Sequence, residues 1–312
     1  MIGHTRIQEI LSRMLDGGSL PHALLFVGPE GTGKTTLARG LAKTILSHKG
    51  DLAVHPDFLT LEVLVDEKTG KRKSQISVDQ VRELTGRLGL SSLSGGAKVV
   101  FIEDACALSI GAVNALLKTL EEPKGNTHVI LRAGSSDELP ATIVSRCQTL
   151  RFGIVPNGQI IEGLVKMGFT KGDAQVATAQ SLGRPGRAIR YLKESTYQAG
   201  ITTGLNQAVT FLCASLPQRL GQVMELIPKS ETEKEETLEG LIDQWELVCR
   251  DLLLRHLGLT PLQSFSSPPL DQLAGAISTK SLLSTMHALH EVRSATSHHV
   301  NSHLALEHIA LS

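Results

Sequence analysis

One stretch, Ala23 to Leu37 (ALLFVGPEGTGKTTL), limits the possible folds more than any other part of the chain. Ala23 to Val27 is a short apolar run of the length of one buried strand. Gly28-Pro29-Glu30-Gly31-Thr32-Gly33-Lys34-Thr35 then fits G-x-x-x-x-G-K-S/T at each fixed position. Thr36 follows, and Leu37, Leu41 and Ile45 recur at helical spacing, so the loop joins a strand to a helix. Glycines let such a loop wrap a phosphate, and its amides and the helix N-terminus face the anion together. Lys34 is the candidate for the β- and γ-phosphates and the Thr35 hydroxyl for Mg2+, with Gly28 through Thr36 as the nucleotide cradle. The plainer alternative is a glycine-rich turn that binds nothing; the strand before and the helix after weigh against it.

The elements around this loop alternate. Ile7, Ile10, Leu11, Met14 and Leu15 share one helical face, stopped by Gly17-Gly18. Strands are expected at Asp57 to Val63, Lys98 to Ile102, His128 to Leu131 and Thr149 to Phe152. Between them, Ser77-Val78-Asp79-Gln80 reads as a capping box and Ser109 as a helix cap. Alternating strands and helices predict a parallel sheet covered on both faces. From Ile154 the strand signal ends: Ile160 to Val165, a helix opened by Thr170-x-x-Asp173, and another after Gly183-Arg184-Pro185-Gly186 form a small helical unit, and the rest reads as helical. The expected division is 1–153, 154–195 and 196–312.

Composition excludes several functions. Among 312 residues, Lys plus Arg and Asp plus Glu both number 31, so the chain is not a strongly basic nucleic-acid binder. Aromatics at 3% argue against a base-stacking platform. Cys106, Cys147, Cys213 and Cys249 are far apart, without metal-ligand spacing, so no structural zinc is expected. No signal region or membrane-length apolar run is evident, and a soluble cytoplasmic protein is the simple reading. The basic turn from Lys68 to Lys73 reads as a solvated loop, with contact to a phosphate backbone as the alternative.

A phosphate loop works with an acidic strand end that helps to hold Mg2+. Glu103 and Asp104, after the strand at Lys98 to Ile102, supply one; strand-end solvation is the other reading.

Asn114-Ala115-Leu116-Leu117-Lys118-Thr119-Leu120-Glu121-Glu122-Pro123 and Leu139-Pro140-Ala141-Thr142-Ile143-Val144-Ser145-Arg146-Cys147-Gln148 resemble the AAA+ clamp-loader ATPases. His55-Pro56-Asp57, Ile76 to Arg82, Gly183 to Ala188 and Asn301 to Ile309 are similar to the delta-prime branch of the bacterial DNA polymerase III loader. The resemblance is dense from Ile2 to Arg190 and thin from Tyr191 to Val300. It implies an α/β AAA+ core, a small helical lid and an all-α collar. It further implies ATP and Mg2+ as cofactors and a five-subunit ring with gamma or tau and delta types. That ring places a sliding clamp on primed DNA. By the same resemblance Ile2 and His4 lie near the adenine. Arg146 is an arginine finger for the next subunit's γ-phosphate, a position where charge spreads over oxygens in the transition state.

Departures from the family pattern point to a stator rather than a motor. Active members end the metal strand with Asp then Glu; here Glu103 precedes Asp104. Asp104, at the water-activating position, is one methylene short, and a misplacement of about 1 Å costs on the order of a hundredfold. Arg132-Ala133-Gly134 replaces a polar sensor, with Ser135 or Ser136 as nearby substitutes. The lid arginine position falls at Gly186, one before Arg187, which becomes the candidate lid contact to nucleotide. The zinc-binding cysteine module of many relatives is missing between His48 and His55. The complete phosphate loop favours the alternative, an active ATPase of gamma type or a related DNA-repair motor.

Overall fold

The computed structural model describes residues 1–65, 73–226, 231–259, 277–296 and 301–312; most of the basic turn from Lys68 to Lys73 lies outside them. Contacts divide the chain into two compact units, Met1–Gly163 with Gly183–Gly186, and Leu164–Leu182 with Arg187–Ser312.

The first unit is an α/β core. Its five strands are β1 (Ala23–Val27), β2 (Phe58–Leu61), β3 (Lys98–Ile102), β4 (Thr127–Ala133) and β5 (Gln148–Arg151). All pair in parallel in the order β2-β3-β4-β1-β5, so β4 lies between β3 and β1. Side chains alternate across β1. Ala23, Leu25 and Val27 join one cluster with Val81, Leu84 and Leu88 of helix α3 (Val78–Leu88) and Leu116 and Leu120 of helix α4 (Ile110–Glu121). Leu24 and Phe26 join the other with Leu11 of helix α1 (Thr5–Asp16) and Ala38, Leu41 and Ala42 of helix α2 (Lys34–Ile45). The continuous apolar run at β1 is thus the signature of a strand buried on both faces.

The helix starts follow their capping residues. Ser77 and Gln80 form the reciprocal box, and Ser109 accepts from the amide of Ala112. β2 is shorter than the Asp57 to Val63 expectation because the Asp57 carboxylate turns into a loop. There it accepts from Ser92 Oγ at 2.9 Å, Leu93 N at 3.0 Å and Ser94 N at 2.9 Å. β4 is longer than His128 to Leu131: lying between two neighbours, it has a ladder partner on each side. A short helix α5 (Ala141–Val144) precedes β5, and helix α6 (Asn157–Lys166) follows it.

The second unit is helical: α7 (Lys171–Gln180), most of α8 (Pro185–Lys193), α9 (Ser195–Cys213), α10 (Leu216–Leu226), α11 (Glu231–His256), α12 (Thr279–Thr296) and α13 (Ser302–Ala310). Its core includes Phe211 and Trp245, with ring centroids 4.2 Å apart, and Leu282, Leu289, Leu306 and Ile309. α9 and α11 approach closely at Gly204, where any added Cβ would collide with the Gln244 side chain. Buried charge also binds these helices. Asp243 on α11 pairs with Arg187 of α8 and, at 2.7 Å, with Arg293 of α12, which also reaches Glu246 at 2.9 Å.

Candidate nucleotide site

The site is built where β1, β3 and β4 end. Gly28 leaves β1 at φ 141°, and a Cβ there would lie 2.0 Å from the Phe152 carbonyl oxygen, so only glycine fits. Gly31 and Gly33 also take positive φ, 77° and 104°. Gly33 opens α2 without a side-chain cap, which leaves the first-turn amides available to an anion. The loop is closed on itself: Lys34 Nζ donates to the carbonyls of Gly28 and Pro29, the latter at 2.8 Å, and Thr32 Oγ1 donates to Pro29 at 2.8 Å. Burial, then the nearby Arg132 charge, pulls the Lys34 ammonium down to about 8. Glu30 and Glu138 oppose that shift; Arg184 adds to it.

The strand ends carry the other charges. The β3–β4 register pairs Ile102 with Leu131. Arg132, the next residue on β4, donates through Nε to the Glu103 carbonyl and through Nη1 to Thr35 Oγ1 at 3.3 Å. Glu103 is ion-paired to Arg39 Nη2 at 2.9 Å. Asp104 starts a 3-10 turn, Ala105–Ala107, which its carboxylate does not cap. Glu138 accepts from the Cys106 thiol at 3.0 Å; burial, then that carboxylate, pushes the thiol up to about 12.

The N-terminal residues expected near an adenine line the same region. Ile2 packs on Gly163, and Gly3 on Val155, each too close for a Cβ on the glycine. His4, at φ 55°, sits 5.0 Å from the Phe152 ring, and burial holds its imidazole below its ordinary pKa. Met1 lies over Gly33, its thioether sulfur 3.6 Å from the place of a Cβ.

The expected lid contact is placed differently. Arg187 does not present its guanidinium to a nucleotide: Asp243 of its own helical unit holds it, because a buried carboxylate demands a cationic partner. At the lid position, the Gly186 amide donates to the Gly31 carbonyl at 2.7 Å, and a Cβ there would lie 2.9 Å from that oxygen. An arginine side chain at 186 has no room in this arrangement. Arg146 donates through Nε to Glu121 Oε1 at 2.6 Å and through Nη1 to the Thr142 carbonyl at 3.0 Å, and its side chain keeps 34% exposure.

Sequence reasoning did not assign roles to Arg39 and Arg184. Arg39 had a signal, since it lies four residues after Thr35 on α2 and therefore on the same helical face. Arg184 acts on Lys34 through a chain reversal between helices that no local pattern encodes.

Comparison with known proteins agrees with this architecture. Residues 3–155 match the family model described as DNA polymerase III, delta subunit. The chain is 34% identical over 204 residues to the DNA polymerase III subunit delta' of Haemophilus influenzae, covering 60% of each chain. Over these matched stretches the chain is similar to the delta-prime subunits of DNA polymerase III. Two further delta' subunits match, from Escherichia coli at 33% identity (65% of this chain, 63% of that one) and Pseudomonas aeruginosa at 39% (45% of each). The matched stretches thus span less than two thirds of these curated relatives. The matched family model spans the parallel sheet and the phosphate loop. Among the described residues no helix is long and apolar enough to cross a membrane.

Proposed function

We propose that this chain is a nucleotide-binding stator of a DNA polymerase III clamp loader, one that binds ATP, hydrolyses it poorly and lends Arg146 to a neighbouring subunit. The observation that carries this reading is the contrast inside the site. The phosphate loop is complete, while the groups that would hydrolyse a nucleotide are engaged or displaced: Glu103 by Arg39, the lid position by the Gly186–Gly31 contact. Asp104 keeps its shortened reach. In this reading residues 1–153 form the core, 154–195 the lid and 196–312 a collar. The partners are gamma or tau and delta subunits of a five-membered cytoplasmic ring that acts on a sliding clamp and primed DNA.

The experiment is a set of substitutions in the assembled loader. Arg146→Ala should leave this subunit's own ATP binding unchanged and lower hydrolysis at one neighbouring site by on the order of a thousandfold. Glu103→Gln and Asp104→Asn should hardly change turnover. Lys34→Ala should abolish the ATP-dependent rise in melting temperature of the isolated chain, which follows from mass action. A silent Arg146→Ala beside inactive carboxylate variants would make this chain the motor.

A further inference from the structure

The residues expected around Mg2+ do not fit it. Thr35, the expected hydroxyl ligand, already accepts from the Arg132 guanidinium. Glu103, the first of the two expected carboxylates, is paired with a second guanidinium, Arg39. Two cations thus stand among the groups that would have to surround a third. Coulomb repulsion in this half-buried place disfavours a divalent ion there.

We propose that Arg132 is the resident cation of this site and that a nucleoside triphosphate binds the loop without Mg2+. The proposal rests on the nucleotide-binding reading above. Arg132 is held for such a task. It sits on β4, flanked on both sides by β1 and β3, and its Nε is anchored on the Glu103 carbonyl, so the fork cannot swing freely. Its Nη1 donates to the hydroxyl that follows Lys34. A guanidinium stays charged at any working pH and binds two phosphate oxygens at once. Lys34 and Arg132 are close enough for each charge to act on the other, and Arg184 adds a further positive charge to the same loop. A triphosphate would replace this mutual repulsion with attraction. A magnesium ion would have to displace Arg132 from Thr35 first.

The test is equilibrium binding of a fluorescent ATP analogue to the full chain in millimolar magnesium or in EDTA. The expected result is the same dissociation constant in both, within about threefold, since Arg132 supplies the charge. Arg132→Thr should weaken binding in EDTA by roughly tenfold or more, and added magnesium should restore it. Circular dichroism checks its fold, and Arg132→Lys, which keeps a point charge without the fork, should fall between the two. Wild-type binding that disappears in EDTA overturns the proposal and leaves nucleotide binding intact. Absence of binding in both buffers overturns both. Unchanged binding of Arg132→Thr in EDTA overturns the role of Arg132.

Discussion

Charged side chains are used in opposite ways in the two units. In the sheet unit, Lys34 and Arg132 spend their donors on backbone carbonyls and a hydroxyl, partners that a phosphate can replace. In the helical unit, Asp243 is buried and consumed by two arginines from two other helices, and Asp251 is buried against Arg250 at 2.7 Å. Charge kept for a ligand is paired with neutral dipoles; charge kept for architecture is paired with opposite full charge. The reason is exchangeability. A neutral hydrogen bond contributes about 1 kcal/mol net, whereas breaking a buried ion pair leaves an uncompensated charge.

The largest test of this contrast is Asp243→Ala, which takes the carboxylate from Arg187 and leaves Arg293 with Glu246. It should cost about 3–5 kcal/mol, read from the urea midpoint of the helical transition, while nucleotide binding by the folded protein persists. Equal loss of nucleotide binding would mean that Asp243 serves the site.

Asp57 breaks the pattern within the sheet unit, because it is buried and architectural. Burial works against its ionisation, yet the Ser94 amide, with Leu93 and Ser92, holds its carboxyl at about 2, below its ordinary 3.8. Asp57→Ala should destabilise the unit by about 2 kcal/mol. The sign follows from the lowered value: the contribution is complete above pH 3.8 and disappears as pH falls through about 2. Acid unfolding of wild type against Asp57→Asn measures it; identical curves in that window would remove the role of the loop hydrogen bonds.

Lys34 gives a smaller, pH-dependent test. Its free-state value is about 8; bound phosphate favours the ammonium and raises it. Below pH 8 both states are protonated and affinity is level. Above it, binding must take up a proton, so affinity should fall by up to about tenfold per pH unit. Calorimetry in buffers of different ionisation enthalpy reads that uptake. Flat affinity from pH 8 to 9.5 (about one and a half decades of proton activity) would mean that Lys34 does not meet the phosphate.

The smallest effect concerns Arg146, which has one foot in each class because its partner Glu121 is a full charge on a half-exposed surface. Glu121→Gln should change stability by less than about 1 kcal/mol and leave loader turnover within a few-fold. A larger loss of stability would make Arg146 a structural clamp.

The sequence alone determined the elements whose signals are local. The strand at Ala23–Val27, the strand at Lys98–Ile102, the capping box at Ser77 and the phosphate loop are all written in patterns of fewer than about twelve residues, and each stands where those patterns place it. Two long motifs then carried the resemblance to the clamp-loader family. What the sequence left open depends on which distant residues meet. No pattern says that Phe152 forbids a side chain at position 28, that Gly186 touches Gly31, or that Arg187 answers a carboxylate at 243 rather than a phosphate. The same holds at Thr35, whose hydroxyl reads as a metal ligand by spacing. Strand register, which brings Arg132 beside it from ninety-seven residues away, gave it a guanidinium instead. Local signals choose elements because their energetics are summed over neighbours in the chain; site chemistry is chosen by partners across the sheet, and only tertiary structure pairs them.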